Sequence, residues 1–311
     1  MNLFATVLTH PAPSANYRGE SELNRSVIQK ITDGRHEYPI ISPEAIRNAL
    51  RETLRGYGLP MNRERLDDEE QLAVKFNAYP DPDSYADDFL FGYLVAASGA
   101  DRKKILKEVN RDGFRFKRDS VLRMNLARGL EPYRHDAVFT QSPLASREGA
   151  YQNATSSALL HRETAVTAFQ YPFALNGNDC AKQPDWTRAL VRAIGELNGV
   201  AGNHARSYFE MAPSSASARL TKRLVAGHDT YHFRVDGRGH DNERHIGSSL
   251  IDDLLDEELN LPGGEFRLGG QVVREMDDET KEKLKKRGVT LDADAARMLE
   301  AAGEALLGGE A

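Results

Sequence analysis

A short loop in the second half of the chain carries the most specific chemistry. Residues 199–206 read Gly-Val-Ala-Gly-Asn-His-Ala-Arg, and glycines allow a backbone to approach a ligand closely. Asn203, His204 and Arg206 offer donors suited to a phosphate or a base edge. No Gly-Lys-Ser/Thr follows, so the segment is not a P-loop. The alternative is an ordinary helix end and turn, and the sequence alone leaves both interpretations open.

Three arginines form a second candidate site. Arg47, Arg51 and Arg55 are four residues apart, which places them along one edge of a helix. Such an edge can follow the phosphates of a nucleic acid. It can equally be a solvated face whose charges pair with Glu44 and Glu52 nearby. Spacing favours the solvated face.

Histidines and acidic residues are concentrated between positions 228 and 245. They are His228, His232, His240 and His245, with Asp229, Asp236, Asp241 and Glu243. These side chains suit several divalent ions, so a metal-dependent nuclease or hydrolase using this cluster is the alternative functional hypothesis. Against it, Thr230–Val235 is rich in strand-forming residues, and two histidines four apart share a face only in a helix. We therefore expect no metal site.

The chain lacks the signatures of nucleophilic catalysis. It contains no Gly-x-Ser-x-Gly motif, and its single cysteine, Cys180, follows a polar stretch without an activating signature. One cysteine excludes an internal disulfide and most structural zinc sites, and it fits a reducing cytosol. Acidic runs such as Asp67–Glu70 are more typical of solvated helix faces than of paired catalytic acids. We expect a protein that is not an enzyme and has no cofactor.

Length and composition are typical of a globular protein of the cytoplasm. The chain has 311 residues, with 40% hydrophobic and 28% charged residues, which suits one elaborate domain or two smaller ones. No basic segment followed by an apolar stretch opens the chain, so no secretory signal is predicted. The longest apolar run, Phe89–Ala97, is much shorter than the roughly 20 residues that a membrane-spanning helix needs.

The net charge of −6 conceals a segregated distribution. Twelve basic and seven acidic residues lie between positions 101 and 150, and seven basic and three acidic residues lie between 188 and 234. Residues 248–311 instead contain sixteen acidic and eight basic residues. A phosphate backbone meets local patches rather than the average charge. The global charge therefore argues only weakly against nucleic-acid binding.

Hydrophobic patterns predict a mixture of strands and helices. Strands are expected at Leu3–Thr9, Asp136–Phe139, His161–Leu175, Ser207–Met211 and Asp229–Val235. Helices are expected at Pro43–Arg55, with Ser42 as N-cap, and at Asp185–Leu197. Shorter helices are expected near Leu66–Phe76, Ser84–Ala97 and Asp101–Glu108, and the Ala-rich end is expected to be a solvated terminal helix. The order fits a split βαββαβ unit, the ferredoxin-like or RRM-like plan.

Five segments of the chain form a recognisable series: Asn16–Glu20, Tyr38–Glu52, His135–Phe139, Ser156–Thr167 and Gly202–Arg206 followed by Pro213 and Arg219. No single motif is diagnostic, but their order and spacing over roughly Met1–Arg234 resemble one protein family. That family is the Cas-seven backbone proteins of type I CRISPR surveillance complexes, in particular their DevR-type branch.

The resemblance implies an α+β fold with an RRM-like (ferredoxin-like) palm, a helical finger insertion and a protruding thumb hairpin. The palm would comprise residues 1–58 and 134–247, with the thumb at about 140–160. The finger would comprise residues 59–133, and residues 248–311 would form an acidic C-terminal segment. The His228–His245 cluster is not part of the family pattern.

The resemblance also implies a non-catalytic role in a type I (I-B-like) Cascade complex. Copies of the protein would polymerise along a guide crRNA beside other Cascade subunits, and the crRNA would pair with target DNA in an R-loop. No membrane partner is expected. RNA contacts are implied for ten residues: Arg18, Ser42, Arg47, Arg51, Gln141, Ser142, His161, Asn203, His204 and Arg206.

Overall fold

The computed structural model of the protein describes residues 1–14, 17–22, 25–65, 74–141, 159–200, 209–236 and 245–308. Its strands are β1 (Asn2–Thr9), β2 (Ala12–Ser14), β3 (Tyr17–Glu22), β4 (Arg25–Ile28), β5 (Lys30–Thr32), β6 (Glu37–Ile41), β7 (Arg63–Arg65), β8 (Val74–Phe76), β9 (Tyr93–Leu94), β10 (Lys117–Arg118), β11 (Arg123–Met124), β12 (Ala127–Gly129), β13 (Ala137–Gln141), β14 (Leu159–Glu163), β15 (Ala165–Thr167), β16 (Phe169–Asn176), β17 (Pro213–Thr221), β18 (Phe233–Asp236), β19 (His245–Ser248), β20 (Phe266–Gly270) and β21 (Thr290–Asp292). Its helices are α1 (Pro43–Gly56), α2 (Ala86–Phe91), α3 (Gly99–Val109), α4 (Gly177–Cys180), α5 (Pro184–Gly195), α6 (Ser249–Leu255), α7 (Gln271–Arg274), α8 (Asp278–Lys286) and α9 (Ala295–Gly308).

A large central sheet organises this α+β fold. Its strand order is β21-β20-β17-β1-β16-β12-β6-β5, and β11 also pairs with β16. The first strand of the chain lies in the middle, antiparallel to both β16 and β17. Ala5, for example, is opposite Phe173 on one side and Ala218 on the other. Among the described helices, none is long and apolar enough to cross a membrane.

Alternation along β1 separates two hydrophobic cores. Leu3, Ala5 and Val7 face a core that also contains buried residues of α1, α5 and α9. Because successive side chains of a strand point to opposite faces, Leu8 faces the other side. There it joins a second core with Phe233 of β18 and buried residues of α6, α7 and α8. The central strands are therefore covered on both faces.

The first helix confirms its predicted start. The Ser42 hydroxyl accepts a hydrogen bond from the backbone N–H of Ala45 at 3.2 Å, and Pro43 occupies the first turn, where its missing N–H costs nothing. Ile46, Leu50 and Leu54 form a buried stripe along this helix. Helix α1 runs one residue further than expected, to Gly56.

Other local expectations had mixed outcomes. The structure confirms the strand at 3–9, the helices near 101–108 and 185–197, and a strand near 136–139. Residues 74–76, expected to be helical, instead form strand β8 in a hairpin with β7. Helix α2 is shorter than expected because Gly92, with a φ of 64°, ends it. A side chain at Gly92 would overlap the backbone of Arg118 and Ser120.

The expectation of a solvated C-terminal helix is wrong. Strands β20 and β21 extend the central sheet, and α9 packs against α5. Ala295, Leu299 and Ala302 lie on one face of α9 and are buried in the first core. Small residues bring the two helices close, since Gly303 lies directly against Val191. The acidic character of this segment belongs to its outer surfaces.

Candidate nucleic-acid interface

Three of the residues predicted to contact RNA lie on one small sheet. Its order is β13-β14-β4-β3, and we call it the small sheet. Gln141 lies on β13, His161 on β14 and Arg18 on β3. In the pairing of β13 with β14, Gln141 is opposite Leu159. The sequence resemblance therefore selected three residues of one sheet, although Arg18 lies 123 positions before Gln141 (18 to 141).

The small sheet carries an exposed aromatic pair. Phe139 is opposite His161 in the ladder, and their ring centroids are 4.1 Å apart. The Phe139 side chain is 63% exposed, and the neighbouring Val138 is exposed as well. Exposed aromatic rings on a sheet are suited to stacking on unpaired bases. This pair is the described feature of the small sheet best suited to holding RNA.

A buried carboxylate anchors the small sheet to the edge of the central sheet. Glu163 of β14 is buried, and it accepts a hydrogen bond from the backbone N–H of Ile28 at 3.2 Å. It also forms an ion pair with Lys30 of β5 at 3.6 Å. The Lys30 ammonium lies 4.2 Å from the ring centroid of Tyr133. These contacts fix the position of the strands that carry Phe139 and His161.

The three arginines of α1 do not form a uniform edge. Arg47 and Arg55 pair with Glu44 and Glu52 at 3.5 Å and 2.6 Å, so the predicted pairing is confirmed. Burial lowers the pKa of Arg47. The Arg55 side chain is 39% exposed, whereas that of Arg51 is only 6% exposed. The RNA contacts proposed for Ser42, Arg47 and Arg51 stay predictions, and the Ser42 hydroxyl serves as the helix cap.

Arg51 belongs to a buried polar network that joins α1 to α2. We call Arg51, Asn62, Arg63, Asp87 and Asp88 the enclosed network. The Arg51 Nε is 3.4 Å from an Asp87 carboxylate oxygen, and Arg63 is 3.3 Å from Asp88. The Asn62 amide donates to Asp88 at 2.7 Å. Burial lowers the pKa of Arg51 to about 10, so it stays charged near neutral pH, and burial raises the pKa of Asp88.

The glycine-bracketed loop spans residues 199–206. The described residues at its two ends are held together in the core. The Gly199 N–H donates to the Phe209 carbonyl at 3.2 Å, and the Met211 N–H donates to the Leu197 carbonyl at 2.9 Å. Val200 is buried beside this pair of segments. The predicted contacts Asn203, His204 and Arg206, like Ser142 and most of the expected thumb, lie outside the described residues.

The histidine cluster does not support the metal-site alternative. His232 is fully buried, and its two ring nitrogens lie 2.7 Å from the Ser217 hydroxyl and 2.8 Å from the Ser248 hydroxyl. Burial lowers its pKa to about 3. The described part of the chain contains no group of three His, Cys, Asp or Glu side chains that could hold a metal ion. His240, Asp241 and Glu243 lie outside the described residues.

The fold also brings together residues that the sequence pattern did not single out. Arg128 of β12 is opposite Ile40 of β6 and Gln170 of β16. Its guanidinium carbon lies 5.5 Å from the ring centroid of Tyr38 and 5.0 Å from that of Tyr231. The alternation in Glu37–Ile41 was the available local signal, because it places Tyr38 and Ile40 on one face. The pairing with Arg128 is visible only in the sheet register.

Comparison with known proteins gives a consistent result. No model of a known protein family matches the chain. A relative from Myxococcus xanthus, described as "CRISPR-associated protein Cas7/Cst2/DevR", is 30% identical over 298 residues, which cover 91% of this chain and 91% of the relative. A chain of a "CRISPR RNA-guided surveillance complex, pre-nicking" has a TM-score of 0.59 at 9% identity and covers 98% of this chain and 100% of its own. A chain of another "CRISPR RNA-guided surveillance complex" has a TM-score of 0.55 at 10% identity, with 98% and 99% covered.

Proposed function

The chain belongs to the CRISPR-associated Cas7/Cst2/DevR family, and from this we propose that it is a crRNA-binding backbone subunit of a type I Cascade complex. The observation that carries the proposal is the 30% identity over 91% of both sequences. The likeness to chains of surveillance complexes over 98% of this chain supports the same overall fold. We assign the subunit to an I-B-like complex that acts in the cytoplasm.

The palm of this subunit would be the middle of the central sheet. Along the chain, β1, α1, β12, β16, α5 and β17 follow one another as strand, helix, strand, strand, helix and strand. In the sheet, β16 lies between β1 and β12, and β17 lies on the other side of β1. This order supports our proposal that the palm follows the split βαββαβ plan of an RRM-like fold. In this proposal residues 248–311 add strands β20 and β21 to the palm sheet.

The finger and thumb would be the two insertions into this plan. We place the finger within residues 59–133, the range implied by the family resemblance, and propose that it ends before β11, because β11 and β12 pair with β16 in the central sheet. This range contains α2, α3 and the two-stranded antiparallel sheets β7–β8 and β9–β10. The thumb would begin from β13 and β14, whose exposed Phe139–His161 pair would lie beside the guide. It would press between nucleotides of the guide and displace one base.

Copies of the subunit would form a filament along one crRNA, beside other Cascade subunits. The protein would hold the guide by the RNA's phosphate backbone. Cationic side chains and close approach of the protein main chain would make these contacts. The intervening bases would stay free to pair with target DNA, so that base pairing reads the sequence. The subunit would be non-catalytic. Its proposed RNA contacts are the ten residues implied by the family resemblance, Arg18, Ser42, Arg47, Arg51, Gln141, Ser142, His161, Asn203, His204 and Arg206.

RNA binding by the purified protein tests the proposal. The protein, produced alone and together with its partner subunits, is expected to copurify with RNA. After removal of that RNA, it should bind a fluorescent single-stranded RNA with an affinity that falls steeply as salt rises. Protein that ignores RNA at low salt, alone and with its partners, contradicts the proposal. A filament of RNA-free protein would show a purely structural assembly protein instead.

A further inference from the structure

Among the described residues, the second face of the central sheet is covered over β1 and β16 but is open at the edge strand β5. Over β1 and β16 this face is covered by residues 230–236, which lead into and include β18. The Thr6 hydroxyl donates to the Thr230 carbonyl at 2.8 Å, and the Gln170 amide bonds to both the N–H and the carbonyl of Phe233. Further along the sheet, over β6 and β5, the side chain of Ile31 on the same face is 43% exposed. The cover therefore ends near β12.

Arg128 lies at the boundary between the covered part of this face and the part over β6 and β5. Its neighbours Ala127 and Gly129 face the first core, since Ala127 is buried there and Gly129 lies against Pro39. Alternation therefore points Arg128 to the second face. Tyr38 is on the same face, opposite Ile31 in the pairing of β5 with β6. We call Ile31, Tyr38, Arg128 and Tyr231 the Arg128 platform.

The charge of Arg128 is not compensated within the described part of the chain. No carboxylate oxygen there lies within 4.0 Å of its guanidinium, and its buried Nε has no hydrogen-bond partner. What holds the side chain is the pair of rings from Tyr38 and Tyr231, through cation–π contact. The Tyr231 hydroxyl is fixed in turn by donating to the Leu126 carbonyl at 2.7 Å. The guanidinium is thus oriented before any ligand arrives.

An ionised Tyr231 side chain would neutralise the charge of Arg128, but the Tyr231 hydroxyl keeps its proton. Burial raises the pKa of Tyr231, and only the charge of Arg128 opposes that shift. The hydroxyl therefore stays neutral near physiological pH. The cation that remains is planar, forked and flanked by aromatic rings, which is the arrangement that recognises a phosphate and an adjacent base.

We propose that the Arg128 platform is a binding site for single-stranded RNA. The Arg128 guanidinium would take a phosphate through its free N–H groups, and Tyr38 with Ile31 would contact the neighbouring base or sugar. Stacking of bases on an open sheet face beside a cation is a general mode of single-strand recognition. The inference rests on the proposed function, because it names one place where that subunit would hold its guide. An acidic peptide is the competing ligand chemistry, although one cation among apolar rings suits it less.

Titration of a fluorescent single-stranded RNA by anisotropy, at two salt concentrations, tests the platform. The variants are Arg128→Gln, Arg128→Lys and the control Arg188→Gln, which removes an exposed arginine already paired with Glu304 at 2.8 Å. We expect Arg128→Gln to weaken binding about ten-fold or more and to reduce the salt slope by about 0.7. Arg128→Lys should keep the slope but bind several-fold more weakly, since an ammonium cannot fork. The control should change affinity less than about two-fold.

The outcomes separate this inference from the proposed function. If the parent binds RNA and Arg128→Gln binds with the same affinity and slope, the platform is wrong and the proposed function stands. If the parent ignores RNA alone and with its partner subunits, the proposed function fails and takes the platform with it. Parent protein that ignores RNA but binds poly-glutamate through Arg128 would identify a protein ligand and overturn both.

Ultraviolet crosslinking of the parent protein to RNA, with peptides mapped by mass spectrometry, keeps the test decisive if Arg128→Gln fails to fold. Crosslinked peptides should contain Tyr38 or Tyr231. Crosslinks confined to other regions of a protein that binds RNA would overturn the platform.

Discussion

Two arginine-centred regions show how differently the same side chain can be held in one molecule. In the enclosed network, Arg51 lies 3.4 Å from the buried carboxylate of Asp87. In the Arg128 platform, two aromatic rings hold the cation, and no carboxylate oxygen of the described residues lies within 4.0 Å of it. The first region neutralises its cation internally, so the cation joins two helices. The second leaves its cation uncompensated at an open surface, so the cation is available to a ligand.

The comparison also explains why the spacing of the three arginines on α1 does not by itself predict RNA binding. Arg51 and Arg55 are one helical turn apart, yet Arg51 is buried toward α2, whereas Arg55 is partly exposed and pairs with Glu52 and the Arg63 carbonyl. A buried ion pair needs both partners, because a lone buried charge is strongly destabilising. Removing a carboxylate of the enclosed network should therefore lower stability, and removing a cation at an open surface should weaken binding.

The largest effect is expected from Asp87→Ala. This change removes the carboxylate nearest to Arg51 and also a hydrogen-bond acceptor for the backbone N–H groups of Asn62 and Arg63. We expect the free energy of unfolding to fall by about 3–5 kcal/mol, measured by urea denaturation. The control Asp83→Ala removes an exposed carboxylate of the same segment and should change it by less than about 0.5 kcal/mol. A loss below about 1 kcal/mol for Asp87→Ala would break the distinction between the two regions.

A second effect concerns the pH dependence of stability through His232. Its pKa in the folded protein, about 3, lies below its ordinary value of 6.5. The unfolded chain therefore binds the proton more readily, and stability is lost as pH falls below 6.5. We expect this one group to cost roughly 2 kcal/mol between pH 6.5 and about pH 5.

Urea denaturation at several pH values measures the effect of His232, and His232→Gln should flatten this part of the profile. His245→Gln is the matched control. The His245 side chain is exposed, and its ion pair with Glu275 is long, at 3.8 Å. A parent protein whose stability does not change over this pH range would show that His232 is not enclosed in solution.

A smaller effect, on binding rather than folding, is expected from Phe139→Ala. The ring is exposed, so the free energy of unfolding should change by less than about 0.5 kcal/mol. Loss of one stacking surface should weaken RNA binding by about 1 kcal/mol, or roughly five-fold. Anisotropy titration checks the binding and thermal melting checks the fold. A variant that melts much earlier but binds RNA normally would show that the small sheet is structural.

The smallest effect is expected from Arg55→Ala. Arg55 is partly exposed and already pairs with Glu52 at 2.6 Å, so its removal should cost less than about 1 kcal/mol in RNA binding. The same titration at two salt concentrations measures it. If Arg55→Ala abolishes binding while Arg128→Gln does not, the edge of α1 rather than the platform is the main open cationic surface.

The sequence by itself determined the features that depend on near neighbours. Helix α1 begins where Ser42 and Pro43 predict, because capping is decided within four residues. Strand β1 and helix α5 follow from local periodicity, and both were predicted close to their observed limits. The family, too, was evident from the order of short segments along the chain, and the relative at 30% identity confirms it.

Only the tertiary structure decided which polar groups are enclosed and which are open. Arg51 and Arg55 have the same spacing signal, but α2 packs over one and not the other. His232 looks like a metal ligand by residue type, and two serines from distant strands satisfy it instead. Tyr38 and Arg128 meet through the register of β6 with β12, and Tyr231, about 100 residues further along the chain, lies against Arg128 from outside that sheet. Local sequence cannot encode such a meeting, because it depends on how every intervening strand pairs.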